Sequence, residues 1–218
     1  MWVKRLAFIT LIGMMFTSCG MLKSYTAKYD VSLATVESPA DAKAQFGETK
    51  VASFTEGEIN KFRYEDNFID IVWYVSSTQF NFTLKNKSNH TIKINWDDIS
   101  FVDYDGKTGR VMHSGVKYNE RNNSQPASTI PKGASLSDIL LPTDNVRFVS
   151  GQYGGWREDL LIPSIYQTQE AFANGANTYV GKTMKILMPI MIENVQNDYT
   201  FEFKINSLLN PELGVSKK

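Results

Sequence analysis

Cysteine is nearly absent from this sequence. Cys19 is the only one in 218 residues. One thiol cannot close an internal disulfide, nor supply a multi-cysteine zinc site. Histidine is almost as scarce, at two residues, His90 and His113. No H-E-x-x-H or paired-histidine spacing occurs, so zinc hydrolase chemistry lacks its ligands. Charge of one sign is not in excess, because 23 Lys and Arg balance 23 Asp and Glu. A neutral chain lacks the clustered cations that neutralise phosphates, which argues against a nucleic-acid partner. No repeat or low-complexity tract occurs, and nothing calls for a cofactor. What is there, 42% apolar and 21% charged residues, suits a folded globular protein.

The one long apolar stretch is N-terminal. Lys4 and Arg5 precede an apolar run from Leu6 to Phe16. Basic residues before a short apolar segment are the pattern of an export signal. The run is shorter than the roughly 20 apolar residues that span a bilayer. It ends in Phe16-Thr17-Ser18-Cys19-Gly20, which resembles the lipobox of bacterial lipoproteins. Phe16 stands where Leu is usual, a change that Bacteroidota lipoproteins often tolerate. The resemblance implies diacylation of the Cys19 thiol, cleavage before it, and acylation of the new amine. Loss of Lys4 and Arg5 would leave 21 basic and 23 acidic side chains, a net charge of −2. No acidic residue directly follows Cys19, so neither an inner-membrane retention signal nor a surface-export signal is matched. The implied location is the outer membrane, facing the periplasm.

The rest alternates in twos. Phe80, Phe82 and Leu84 alternate with Asn81, Thr83 and Lys85, the period of a half-buried strand. Ile92, Ile94 and Trp96 repeat the pattern, as do Tyr199, Phe201, Phe203 and Ile205. Ile69, Ile71, Trp73 and Val75 alternate with Asp70, Val72 and Tyr74, which reads as a strand buried on both faces. Asn86-Lys87-Ser88-Asn89 reads as a short hairpin loop, and Asp105-Gly106 as a tight turn. Pro131-Lys132-Gly133 reads as a turn feeding a strand. Many short strands with closely spaced turns predict an all-β sandwich. Ser38, Pro39 and Gly47 bracket one short helix, and Ser164 to Asn174 is a weaker candidate. Tyr153 to Pro163 reads as an irregular loop. The expected organisation is a signal over 1–18, a tether over 19–27, a sandwich over 28–210 and a tail over 211–218.

Chemistry concentrates between Asn95 and Tyr118. Asp97, Asp98, Asp103, Asp105, Arg110 and His113 lie there. Asp103-x-Asp105-Gly106 has the look of a calcium loop, but Lys107 and Ser114 occupy positions where an EF-hand needs oxygen ligands. The simpler account is a β-turn. His113-Ser114 invites a triad, yet neighbours on a strand point to opposite faces and no Gly-x-Ser-x-Gly elbow exists. The third reading is a hydrogen-bonded network of Asp97, Asp98, Arg110 and His113 that fixes strand register. Trp73 and Trp96 fall on apolar faces and read as core. Met184, Met188 and Met191 read as core filler. Trp156 sits with Tyr153 and Arg157 in a glycine-rich loop. It either packs over one end of the sandwich or contacts a partner.

These segments together carry a family resemblance. Phe80 to Ser88, Asn95-Trp96-Asp97, Arg110 to Tyr118, Ser128 to Gly133, Leu141 to Val146 and the closing pair Lys185 to Ile192 with Tyr199 to Ile205 resemble a group of uncharacterised bacterial lipoproteins of Bacteroidota type. The resemblance implies a lipid-anchored β-sandwich of immunoglobulin-like type. It brings no activity or catalytic residue. The expectation is therefore a non-catalytic envelope protein, anchored to the membrane, with an envelope protein or glycan as partner. The alternative is a glycan- or Ca²⁺-binding module using the loop aromatics and aspartates.

Overall fold

The computed structural model describes residues 24–37 and 47–214. The expected signal over 1–18, Cys19 and the helix expected over 38–46 lie outside the described residues. The strands in chain order are β1 (Tyr25–Thr26), β2 (Tyr29–Glu37), β3 (Lys50–Glu56), β4 (Ile59–Glu65), β5 (Ile69–Val75), β6 (Phe80–Asn86), β7 (Ile92–Ile94) and β8 (Ser100–Val102). They continue with β9 (Thr108–Met112), β10 (Ser128–Ile130), β11 (Ser135–Pro142), β12 (Val146–Val149), β13 (Gly155–Glu158), β14 (Ile165–Tyr166), β15 (Thr183–Ile192) and β16 (Val195–Leu208). The α-helix α1 spans Gln169–Gly175, capped by the Thr168 side chain, which accepts from the Ala171 N–H at 3.1 Å. The fold is all-β with one short helix, as the alternating pattern predicts.

Two layers face each other. One sheet runs β3-β4-β5-β6-β11. The other is built on β15, which pairs along one edge with β16, itself paired to β2. Along its other edge β15 pairs with two short strands in turn, β7 at Ile190–Ile192 and β8 at Lys185–Leu187. Pro189 falls in the gap between them. A central proline is tolerated there because no strand residue is registered against it on that side. The layers join where β11 leaves β6 and its last residues, Leu141 and Pro142, pair with Met112 and Val111 of β9.

Aromatic rings fill the space between the layers. Trp73 packs on Phe201 and Phe203 with centroids 5.0 and 5.7 Å apart. Tyr64 meets Phe201 edge-on at 5.9 Å, and Phe80 meets Phe203 at 5.0 Å. All of these rings are fully buried. Each fully buried apolar side chain of this size stabilises the fold by roughly 1.5–3 kcal/mol. One carboxylate is buried among them. Asp66 accepts from the Phe68 and Ile69 N–H groups at 2.7 and 2.8 Å. It also accepts from the hydroxyls of Tyr64 in β4 and Tyr199 in β16, at 3.2 and 2.9 Å. It therefore ties the two layers together. Burial, then the Asp66 charge, pushes the Tyr199 phenol far above its usual range.

Several expectations need correction. Asn86 to Asn89 is not a hairpin loop, because β6 and β7 belong to different layers. It is a corner, held by the buried Asn86 amide. That side chain donates to the carbonyls of His90 and Ile130 at 2.7 and 2.9 Å and accepts from the Ser88 N–H at 2.9 Å. Pro131 to Gly133 does turn the chain into β11 as expected, and the Gly133 N–H there reaches the Asn86 carbonyl at 3.0 Å. The stretch expected as an irregular loop contains β13, paired to β12. Met184 and Met188 are buried, but Met191 points outward because β15 alternates. The fold also starts earlier than residue 28. β1 pairs with β14, and Ala27 is buried against Phe172 and Ala176. At the other end Leu213, expected in a tail, packs on the same cluster. The Asp105-Gly106 turn does join a hairpin, β8 to β9, with Gly106 at φ +82°.

Candidate functional site

The polar stretch from Asn95 to Tyr118 separates into three places. The first is a corner held by Asp97. After β7 the chain makes a short 3-10 turn, Trp96–Asp98, which buries Trp96 and turns Asp97 outward. Asp97 accepts from the Arg110 guanidinium at 2.8 Å, from the Ser124 hydroxyl, and from the Gln125 N–H. The Ser124 hydrogen bond, followed by the Gln125 N–H and Arg110, holds its carboxyl below the usual aspartate range. Arg110 also donates to the Asn122 carbonyl at 2.9 Å. Asp98 takes no part in this corner; it accepts from the Asn95 amide at 2.6 Å.

The second place is around His113. Its ring stacks on Trp96, with centroids 4.2 Å apart and planes 4° apart. Its Nδ1 lies 3.2 Å from the Asp138 carboxylate, whose other oxygen accepts from the Ser114 N–H at 2.8 Å. Gln125 joins the two places. Its side chain accepts from the His113 N–H at 3.0 Å and donates to the Val111 carbonyl at 2.8 Å, and it is buried. His113 thus pairs with Asp138, a residue outside the expected network of Asp97, Asp98, Arg110 and His113. The Ser114 backbone, and not its hydroxyl, meets the carboxylate. A histidine sandwiched between a tryptophan face and a carboxylate, with its serine neighbour bonded through the main chain, does not form a nucleophile–base pair.

The third place is the β8–β9 turn. Asp103 closes it by accepting from the Asp105 and Lys107 N–H groups, both at 2.9 Å. Asp105 pairs with Lys182 at 2.7 Å. These carboxylates are occupied by backbone donors and a cation. Among the described residues, no group of three or more His, Cys, Asp or Glu is placed to hold a metal ion.

The loop aromatics belong to the β12–β13 hairpin. Trp156 is half-buried in β13, edge-on to Tyr118 at 5.9 Å and to Phe148 at 5.5 Å. The Arg121 guanidinium lies over its ring at 5.2 Å. It packs with Met112, Leu141 and Val146 in a small satellite core. Tyr153 is 84% exposed. Arg157 holds this loop's shape by donating to the Trp156 and Tyr153 carbonyls, each at 2.9 Å. The expected aromatic pair is therefore split: Trp156 packs and Tyr153 alone faces solvent.

Sequence reading missed Gln125 and Asp138, which complete these clusters, and named Glu158 only as a neighbour of Trp156. Glu158 accepts from Thr78 at 2.7 Å and from Tyr118 at 2.5 Å. Each is a single polar residue in a loop or strand with no motif around it, so nothing local marks it. The structure also has an open groove of about 690 Å³ outside β7, β10 and β15. His90, Lys93, Asp98, Thr129 and Glu193 line it, and His90 and Glu193 are in contact at 2.7 Å.

No protein-family model matches the chain, and no curated protein matches it significantly. A solved structure described as "X-ray structure of Northeast Structural Genomics Consortium target SoR45" aligns with it at 12% identity. That alignment covers 86% of this chain and 95% of the other, with a TM-score of 0.27, too low to carry any argument.

Proposed function

We propose that this chain is a non-catalytic lipoprotein of the bacterial cell envelope. Acyl chains on Cys19 would hold it at the outer membrane, facing the periplasm, and its immunoglobulin-like β-sandwich would serve as an interaction or structural module. The observation that carries this reading is the position of the only cysteine, directly after the apolar run and two small residues. Each buried acyl CH₂ contributes about 0.8 kcal/mol, and two or more chains make anchoring stable.

The fold supports the reading in two ways. Tyr25 is already paired in β1, so only residues 20–24 separate the anchor from the domain. Five residues reach at most roughly 17 Å. The domain would ride close to the bilayer, with the β1, β14 and α1 end toward it. The residues that invited a catalytic reading are also engaged elsewhere: His113 with Trp96 and Asp138, Asp97 with Arg110 and Gln125.

Fatty-acid labelling and fractionation test this. Cys19→Ser should abolish acyl incorporation and release the protein from membranes. A variant that still sediments with the membrane would remove the anchor. Crosslinking in intact envelopes then identifies the partner.

A further inference from the structure

We propose that β3 is a self-association edge, through which two copies of this chain pair antiparallel about Ser53. Among the described residues β3 pairs only with β4, and no other described strand is paired to its second edge. All seven of its residues are exposed, including Val51 at 52% and Phe54 at 42%. Free edges are ordinarily blunted by proline, a central charge, a bulge or shortness. β2 carries a register shift at Ala34 and β10 has three residues. β3 has no such device. Its register with β4 runs unbroken, and its charges, Lys50 and Glu56, stand at its two ends.

The backbone is turned the right way. β3 and β4 are joined by a two-residue loop, Gly57-Glu58, with Gly57 at φ +64°. Such a loop makes the closing pair, Glu56 and Ile59, a hydrogen-bonded one. Alternation then directs the N–H and C=O groups of Val51, Ser53 and Thr55 away from β4, toward the free edge. An antiparallel copy centred on Ser53 sets Ser53 against itself and Val51 against Thr55. Every outward group meets an outward group.

The side chains fit the same centre. Lys50 falls opposite Glu56 of the second copy, twice by symmetry. Lys50 forms no ion pair among the described residues, and the Glu56 side chain is 67% exposed although Lys61 contacts it. Ala52 falls opposite Phe54, small against large, and both Val–Thr pairs are β-branched. A parallel arrangement would instead set Lys50 beside Lys50. The sequence Lys-Val-Ala-Ser-Phe-Thr-Glu is self-complementary only in the antiparallel sense. The product is one continuous sheet that joins the β3-β4-β5-β6-β11 layers of two copies.

Sedimentation of the full chain across a wide concentration range reads the association. The wild type should form dimers. Lys50→Glu and Glu56→Lys should each weaken them at least about tenfold, because like charges are then juxtaposed at both ends. The double variant should restore the wild-type constant. A wild type that stays monomeric, or a double variant as weak as the singles, overturns the proposal. Ser53→Cys gives a second readout that does not depend on charge. Cα atoms in a hydrogen-bonded pair lie about 5.5 Å apart, within disulfide range. Mild oxidation should give a covalent dimer above the wild-type background. Its absence overturns the antiparallel register.

Discussion

Replacing Asp66 by alanine should be among the most damaging single changes in the domain. The carboxylate is 2% exposed and accepts four hydrogen bonds, from two backbone N–H groups and two phenols. The phenols belong to Tyr64 and Tyr199, themselves 1% and 0% exposed, so water cannot replace the lost acceptor. Hydrogen bonds to charged groups contribute about 1.5–3 kcal/mol each, and a buried donor deprived of its partner costs about 1–3 kcal/mol. These terms are not additive within one network. A net loss of about 4–5 kcal/mol is expected, a large share of the 5–15 kcal/mol typical of a whole domain. Tyr199→Phe removes one donor and leaves the carboxylate its other three, so it should cost about 1–2 kcal/mol. Urea denaturation followed by tryptophan emission measures both, with stability read from the midpoint at constant slope. If Asp66→Ala loses less than about 1 kcal/mol with an unchanged slope, the carboxylate does not tie the layers and the reasoning fails.

Two further outcomes follow from burial. Met184→Ala should cost about 2–5 kcal/mol, because Met184 is fully buried, whereas Met191→Ala should stay within about 0.5 kcal/mol; equal losses would contradict the outward placement of Met191. Raising the pH above about 10 should destabilise the domain. Burial raises the phenols of Tyr199, Tyr29 and Tyr104, the last to about 12. A raised phenol binds its proton more tightly in the folded state, so stability is intact below the unfolded value of 10.0 and falls as pH climbs above it. A thermal midpoint that stays flat between about pH 9 and 11 would contradict this.

Strands with one wet face were legible in the sequence, and the others were not. β6 and β16 alternate cleanly because each has one face in the core, so Phe80, Phe82, Phe201 and Phe203 announce themselves. β3 has no buried face, and Val51-Ala52-Ser53-Phe54 therefore carries no period to read. Pairing was harder than existence. Asn86 to Asn89 has the composition of a hairpin loop, and only the long-range bond from Asn86 to the Ile130 carbonyl makes it a corner between layers. The polar region was located but mis-paired. Asp97 and Arg110 were expected together and are, whereas the partner of His113 lies 25 residues on, at Asp138. Gln125, which links the two clusters, is visible only in space.

The pairing of β2 with β16 sets the order in which the molecule can be finished. Ser32 and Asn206, which bond across it, are 174 residues apart in sequence. A chain emerging from the ribosome N-terminus first cannot give β2 its partner until β16 has been made. Contacts this distant are slow to form, since loop closure must come before they stabilise anything. The early part of the domain therefore stays open at β2 until β16 is made and can close against it.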